Sequence, residues 1–175
     1  MNYDKGGEIQ VVDGYFVHFV APENLPPMAK HVIFVLDVSG SMEGKKMVQL
    51  KNAMKTILTE LRTNDFFSIV EFSDNVTEWR KEATAVNEKN IKDASNYVNQ
   101  VQSSGGTNIH AGLMAGLSKV KHIDAKNEVQ PMIIFLTDGK LDYVIFNLSS
   151  FFRHMYMVTR QPAQFQIIIL HWRIE

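Results

Sequence analysis

Ile33-Phe34-Val35-Leu36-Asp37-Val38-Ser39-Gly40-Ser41 decides the reading of this chain. An unbroken apolar run that ends in an acid, and then sets two hydroxyls two and four residues further on, predicts a buried strand emptying into a polar loop. In extended chain residues i, i+2 and i+4 share a face, so Asp37, Ser39 and Ser41 can converge, with Gly40 free to bend. A carboxylate with hydroxyls is a hard, all-oxygen donor set of the kind Mg²⁺ favours over sulfur or imidazole. The competing reading is that Ser39 or Ser41 caps the following helix and Asp37 closes a strand by chance.

Working outward, Gly44 to Leu61 carries Met47, Leu50, Met54, Ile57, Leu58 and Leu61 at helical spacing and reads as the clearest amphipathic helix. Thr63-Asn64-Asp65 stops it. Phe66 to Phe72 reads as a second buried strand, Ser73-Asp74-Asn75 as a turn, and Val76 to Arg80 as a short antiparallel edge. Asn87 is a candidate cap for a helix whose inner face is Ile91, Ala94, Val98 and Val101. The loop Ser103-Ser104-Gly105-Gly106-Thr107-Asn108 delivers a threonine just ahead of a helix over about Ile109 to His122. Pro131 then leads into Met132-Ile133-Ile134-Phe135-Leu136-Thr137-Asp138-Gly139, again an apolar strand ending in an aspartate. Upstream, residues 8–20 read as one strand, and Pro22, Pro26 and Pro27 punctuate a linker. Strand, helix, strand, helix, strand implies a doubly wound α/β fold, a mostly parallel sheet with helices on both faces. Ligands of such sheets sit beyond the carboxyl ends of the strands, where Asp37 and Asp138 both fall.

Composition sets the bounds. The chain's 175 residues, 45% of them hydrophobic, are enough for one domain with a sizeable core. A net charge of −1 gives no electrostatic case for nucleic acid or an anionic membrane, and Lys45-Lys46 and Lys119-Val120-Lys121 read as solvated helix faces. With no cysteine, disulfides, zinc-thiolate sites and thiol nucleophiles are excluded. Met1 to Gly7 carries no signal-peptide pattern, and no run reaches membrane-spanning length, so no membrane insertion is expected.

Asp37-x-Ser39-x-Ser41, the threonine of Gly105-Gly106-Thr107-Asn108, and Thr137-Asp138-Gly139 together resemble the metal-ion-dependent adhesion site of a von Willebrand factor type A domain. Val12-Asp13-Gly14-Tyr15-Phe16-Val17-His18-Phe19, Ala21-Pro22-Glu23 and Ser39-Gly40-Ser41-Met42 are similar to the inter-alpha-trypsin inhibitor heavy chains in particular. The resemblance covers roughly residues 2–139. It implies a divalent cation, Mg²⁺ first with Mn²⁺ or Ca²⁺ as alternatives, held directly by Ser39, Ser41 and Thr107 and through waters by Asp37 and Asp138. It also implies recognition of a protein or matrix partner through an exposed carboxylate, and an extracellular location.

The resemblance divides the chain into 1–30, the end of an upstream domain with its linker, 31–139, the first part of the type A domain, and 140–175, a divergent tail. Beyond Gly139 the heavy-chain pattern is lost at Lys140-Leu141-Asp142-Tyr143. The tail is expected either to supply strands at Tyr143–Leu148 and Phe165–Trp172 or, the preferred alternative, to be intron-derived or misjoined sequence. On that view the domain is truncated on both sides, the sheet is incomplete at its C-terminal edge, and the strand at 132–137 is left with an open apolar side. A non-functional fragment is therefore one rival function. A metal-assisted hydrolase using Asp37 is another, although no general base is visible beside it.

Other enzyme motifs fail on spacing. Gly40-Ser41-Met42-Glu43-Gly44-Lys45-Lys46 resembles a phosphate loop but is one residue short and lacks the hydroxyl after lysine. Val38-Ser39-Gly40 lacks the leading glycine of a nucleophile elbow. The histidines show no helical metal pairing and read as structural or exposed. Asn75-Val76-Thr77 and Asn147-Leu148-Ser149 fit the glycosylation sequon, which matters only in an exported chain.

Overall fold

A computed structural model describes residues 8–12, 15–19, 28–121, 129–138 and 166–171. Strands β1 (Glu8–Val12) and β2 (Tyr15–Phe19) pair antiparallel as a two-stranded sheet. The stretch predicted as one strand is thus two. An alternation of period two continues unchanged through a chain reversal, and the signal that announces the reversal is the Asp13-Gly14 dipeptide between them.

The main sheet is built on β3 (Lys30–Asp37), which carries the decisive apolar run. Helix α1 (Lys45–Glu60) follows, then β4 (Phe66–Phe72), β5 (Val76–Glu78) and the two-residue β6 (Thr84–Ala85). Helices α2 (Glu88–Gln100) and α3 (Ile109–Lys121) precede β7 (Gln130–Thr137) and β8 (Gln166–His171). The strand order is β5-β4-β3-β7-β8, with β6 on β4. β3 runs parallel to both β4 and β7, while β5 and β6 are antiparallel additions to β4. This is the expected doubly wound, mostly parallel α/β sheet.

The two faces of the sheet divide the core by alternation. Val32, Phe34 and Leu36 of β3 join Phe67, Ile69, Ile134 and Leu136 against Met47, Leu50, Met54 and Leu58 of α1 and Ala94 and Val98 of α2. Ile33 and Val35 face the other way with Phe72, Ile133 and Phe135, against Leu113 and Leu117 of α3. A strand covered on both faces has no position for a polar side chain, which is why β3 reads as an unbroken apolar run. Full burial of each such side chain is worth about 1.5–3 kcal/mol. The helices are stopped and started by local chemistry. The Asn87 side chain accepts the Asn90 N–H at 2.8 Å as the cap of α2, as predicted.

On the far side of β7 lies β8, in parallel register from Met132↔Gln166 to Thr137↔His171. β8 falls within the stretch expected as a strand at Phe165–Trp172 and covers the edge of β7 expected to be open. The strand expected at Tyr143–Leu148 and the second sequon lie outside the described residues.

From β3 the chain crosses to β4 on one side, and later enters β7 on the other. The carboxyl ends of β3 and β7 flank this reversal, the place where α/β sheets of this kind gather ligands.

Candidate functional site

Asp37 closes β3 with no exposed surface, so its carboxylate requires partners. It has them on both oxygens. Oδ1 accepts the Ser39 N–H at 3.0 Å, and Oδ2 accepts the hydroxyl of Thr137, the last residue of β7, at 2.5 Å. The pairing of β3 with β7 thus fixes Asp37 at the sheet edge.

Past Asp37 the chain enters a short 3-10 turn, Gly40–Met42, before α1 begins at Lys45. Ser39 stands at the head of that turn and Gly44 at the head of α1, and neither makes a side-chain cap. The serine hydroxyls point elsewhere. Ser39 Oγ and Ser41 Oγ lie 3.0 Å apart, and Ser41 Oγ donates to Asp138 Oδ1 at 3.0 Å. A hydroxyl has one proton. Because Ser41 gives its proton to the carboxylate, Ser39 donates to Ser41, and both oxygens keep lone pairs free for a cation.

Thr107 reaches the same edge by a different route. Its loop is bound to the Asp37 segment through Gly40 N–H to the Gly105 carbonyl at 2.9 Å and Ser104 N–H to the Val38 carbonyl at 2.8 Å. Asn108 then starts α3, its side chain accepting the Ala111 N–H at 3.0 Å. Of the five residues predicted for the site, Asp37, Ser39, Ser41 and Asp138 belong to one hydrogen-bonded network. Thr107 is brought alongside by the hydrogen bonds its neighbours make and remains exposed.

Three participants escaped the sequence reading. Thr137 stands in a motif that assigns it no role, yet it holds Asp37. Lys46, expected on a solvated helix face, instead pairs its ammonium with the Asp138 carboxylate and donates to the Ser41 carbonyl at 3.1 Å. Asp74 binds the loop that carries Thr107, accepting the Gly106 N–H at 2.9 Å. Lys119 requires the same correction as Lys46. Its side chain is buried, with Nζ 2.6 Å from Glu78 Oε2 and 2.6 Å from the Lys81 carbonyl, fastening α3 to the β5 edge. The histidine reading holds for His31, which is buried against Ser68 at 2.9 Å, and for His110, which is exposed.

Among the described residues no group of three or more His, Cys, Asp or Glu side chains is placed to hold a metal. The oxygen set at this edge is of another kind, hydroxyls with two carboxylates. It is hard and suited to a cation that keeps waters. The seating of a lysine ammonium on Asp138 and the Ser41 carbonyl shows that the edge already draws positive charge.

The sequence profile of the von Willebrand factor type A domain matches residues 32–140, more than half of the chain. The chain belongs to the von Willebrand factor type A domain family. Its relatives in that family include inter-alpha-trypsin inhibitor heavy chain H2 of Mus musculus, 46% identical over 140 residues that make up 78% of this chain and 15% of the relative. Heavy chain H2 of Homo sapiens is 42% identical over the same shares. The chain thus spans about 15% of the length of these relatives. Among solved structures, a von Willebrand factor type A protein from Catenulispora acidiphila superposes with a TM-score of 0.66 at 18% identity, over 81% of this chain and 33% of that one. At that identity the likeness is one of fold, and it supports the type A architecture.

Proposed function

We propose that the carboxyl edge of β3 and β7 is a divalent-cation site through which this type A domain binds an acidic group on a protein or matrix partner. Ser39, Ser41 and Thr107 are the direct oxygen ligands in this reading, and Asp37 and Asp138 hold waters around the ion. Mg²⁺ is the first choice, with Mn²⁺ or Ca²⁺ as alternatives. The observation that carries the reading is the fate of the two serine hydroxyls, which cap no helix and stand 3.0 Å apart in a chain ending on Asp138. When bound, a cation with mainly neutral direct ligands stays electrophilic and offers its open position to a carboxylate. The residues at the edge favour binding over turnover. Asp37 has no exposed surface and already accepts a hydrogen bond on each oxygen, a placement suited to holding the ion's waters with its remaining lone pairs rather than to attacking a substrate. The heavy-chain resemblance is the ground for placing this domain in an extracellular setting. Among the described residues no helix is long and apolar enough to cross a membrane.

Thermal unfolding of the purified chain with and without millimolar Mg²⁺ tests this, beside a Ser41→Ala variant. A ligand bound only by the native state raises stability by mass action, about 2.7 kcal/mol at a hundredfold excess over Kd. The expected result is an upward shift for the parent chain and none for the variant. A cooperative transition indifferent to metal would remove the assignment.

A further inference from the structure

We infer that Asp74, in the turn between β4 and β5, is the positioning residue of this site. It acts on Thr107 without itself touching a cation. The inference rests on the cation-site reading above, and it concerns what holds the one predicted ligand that the hydrogen-bonded network does not.

Thr107 is flanked by two N–H groups, and the same turn receives both. Asp74 Oδ2 accepts the Gly106 N–H at 2.9 Å, and the Ser73 carbonyl accepts the Asn108 N–H at 2.8 Å. On its other side the loop is tied to the Ser39–Ser41 segment by the Gly40–Gly105 and Ser104–Val38 bonds. The loop is therefore clamped between the extension of β3 and the turn after β4. The place of Thr107 is set by contacts that its neighbours make, one of them with the Asp74 carboxylate.

The two glycines record how close this clamp is. A Cβ built on Gly105 would stand 2.5 Å from Asp74 Oδ2, and one on Gly106 would stand 2.5 Å from Asp74 Oδ1. A side chain at either position would push the Asp74 carboxylate, the end of an exposed side chain, away from the loop, so the two glycines let that carboxylate lie against the backbone. Gly105 also has φ +78, which side-chain-bearing residues rarely adopt. The Gly-Gly pair ahead of the threonine thus permits the close approach of Asp74. Asp74 is exposed, and among the described residues it forms no ion pair that would give its charge another partner. Its recorded engagement is a charge-assisted bond to the loop, the stronger class of hydrogen bond.

Releasing the loop would leave Thr107 correctly placed only part of the time. Apparent affinity falls by that fraction. Loss of a hydrogen bond to a charged group predicts a weakening of Mg²⁺ binding by roughly tenfold or more. The experiment is calorimetric titration of the whole chain with MgCl₂, for the parent, Ser41→Ala, Asp74→Ala, Asp74→Asn, Thr107→Ala and the Asp74→Ala/Thr107→Ala pair. Binding by the parent that disappears in Ser41→Ala upholds the cation site independently of Asp74; no binding by the parent removes both the site and this inference. Asp74→Ala is expected to bind roughly tenfold more weakly, and Asp74→Asn close to the parent, because an amide oxygen still accepts the Gly106 N–H. In the Thr107→Ala background, Asp74→Ala should cost nothing further, since its effect passes through that residue. Should Asp74→Ala fail to fold, the near-parental affinity of Asp74→Asn carries the test. Asp74→Ala binding like the parent, Asp74→Asn as weak as Asp74→Ala, or an equal penalty with and without Thr107 would overturn the inference.

Discussion

Acidification from pH 7 to pH 4 should weaken the fold through His31, at the amino end of β3. The imidazole is 3% exposed. Its Nε2 meets Ser68 Oγ at 2.9 Å, its Nδ1 has no hydrogen-bond partner among the described residues, and the Lys119 ammonium adds like charge to any proton it takes up. Burial first, and Lys119 second, lower its pKa from 6.5 to about 4. The native state therefore resists a proton that the unfolded chain accepts. The stabilisation is complete above pH 6.5, declines below it, and is lost as pH falls to about 4. The gap between 6.5 and about 4, at about 1.36 kcal/mol per pH unit, amounts to about 3 kcal/mol. Glu71 runs the other way. Burial raises the pKa of its carboxyl, opposed by the bond from Tyr97, so protonation of Glu71 relieves the native state as pH falls. The parent curve mixes both effects, and the informative quantity is the difference from His31→Gln, which cannot titrate. Urea unfolding of both proteins across pH 7.5 to 4 should show the stability difference shifting against the parent by about 3 kcal/mol. A difference that stays flat between pH 6.5 and 4 would refute the burial argument.

Two further outcomes follow from single contacts. Replacing Lys46 by Met removes a cation that pairs with Asp138, so Mg²⁺ affinity measured by calorimetry should rise by roughly tenfold; a fall would mean that Lys46 serves to hold Asp138 in place. Asn87→Ala deletes the cap that receives the Asn90 N–H at 2.8 Å, and the urea midpoint should report a loss of about 1 kcal/mol, with Asn87→Asp close to neutral.

The parts of this fold that sequence revealed are those where burial leaves no choice of residue. β3, β4 and β7 are covered on both faces or nearly so, and their predominantly apolar runs follow directly. The run ends at Asp37 and at Asp138 because the sheet ends there, which placed two acids on one edge before any pairing was known. What stayed hidden depends on partners distant in sequence. Lys46 meets a residue 92 positions away and Lys119 one 41 positions away, and nothing in a lysine's neighbours distinguishes it from a solvated one. Thr137 acquires its role only once β7 lies beside β3. β6, two residues long, is too short to show a period. The Gly40–Met42 turn was absorbed into the expected loop, although it is what carries Ser41 round toward Asp138.

The two ends of β3 resolve the same difficulty, buried polar groups, in opposite ways. At the amino end the groups are closed upon one another. Lys119 is bound by Glu78 and two carbonyls, Asp65 accepts the N–H groups of Lys30 and Arg62, and His31 rests on Ser68. Those contacts stabilise an interior and present nothing outward. At the carboxyl end Asp37 is equally closed, but it aligns Ser39 and, through the Ser39–Ser41–Asp138 chain, leaves hydroxyl lone pairs at the rim. A reactive site needs a group whose proton affinity or nucleophilicity is available; this rim instead arranges neutral oxygens around a buried negative charge. In the proposed reading this rim would seat a cation on neutral direct ligands and leave a position for the acidic partner, which is the role the site residues are best arranged to serve.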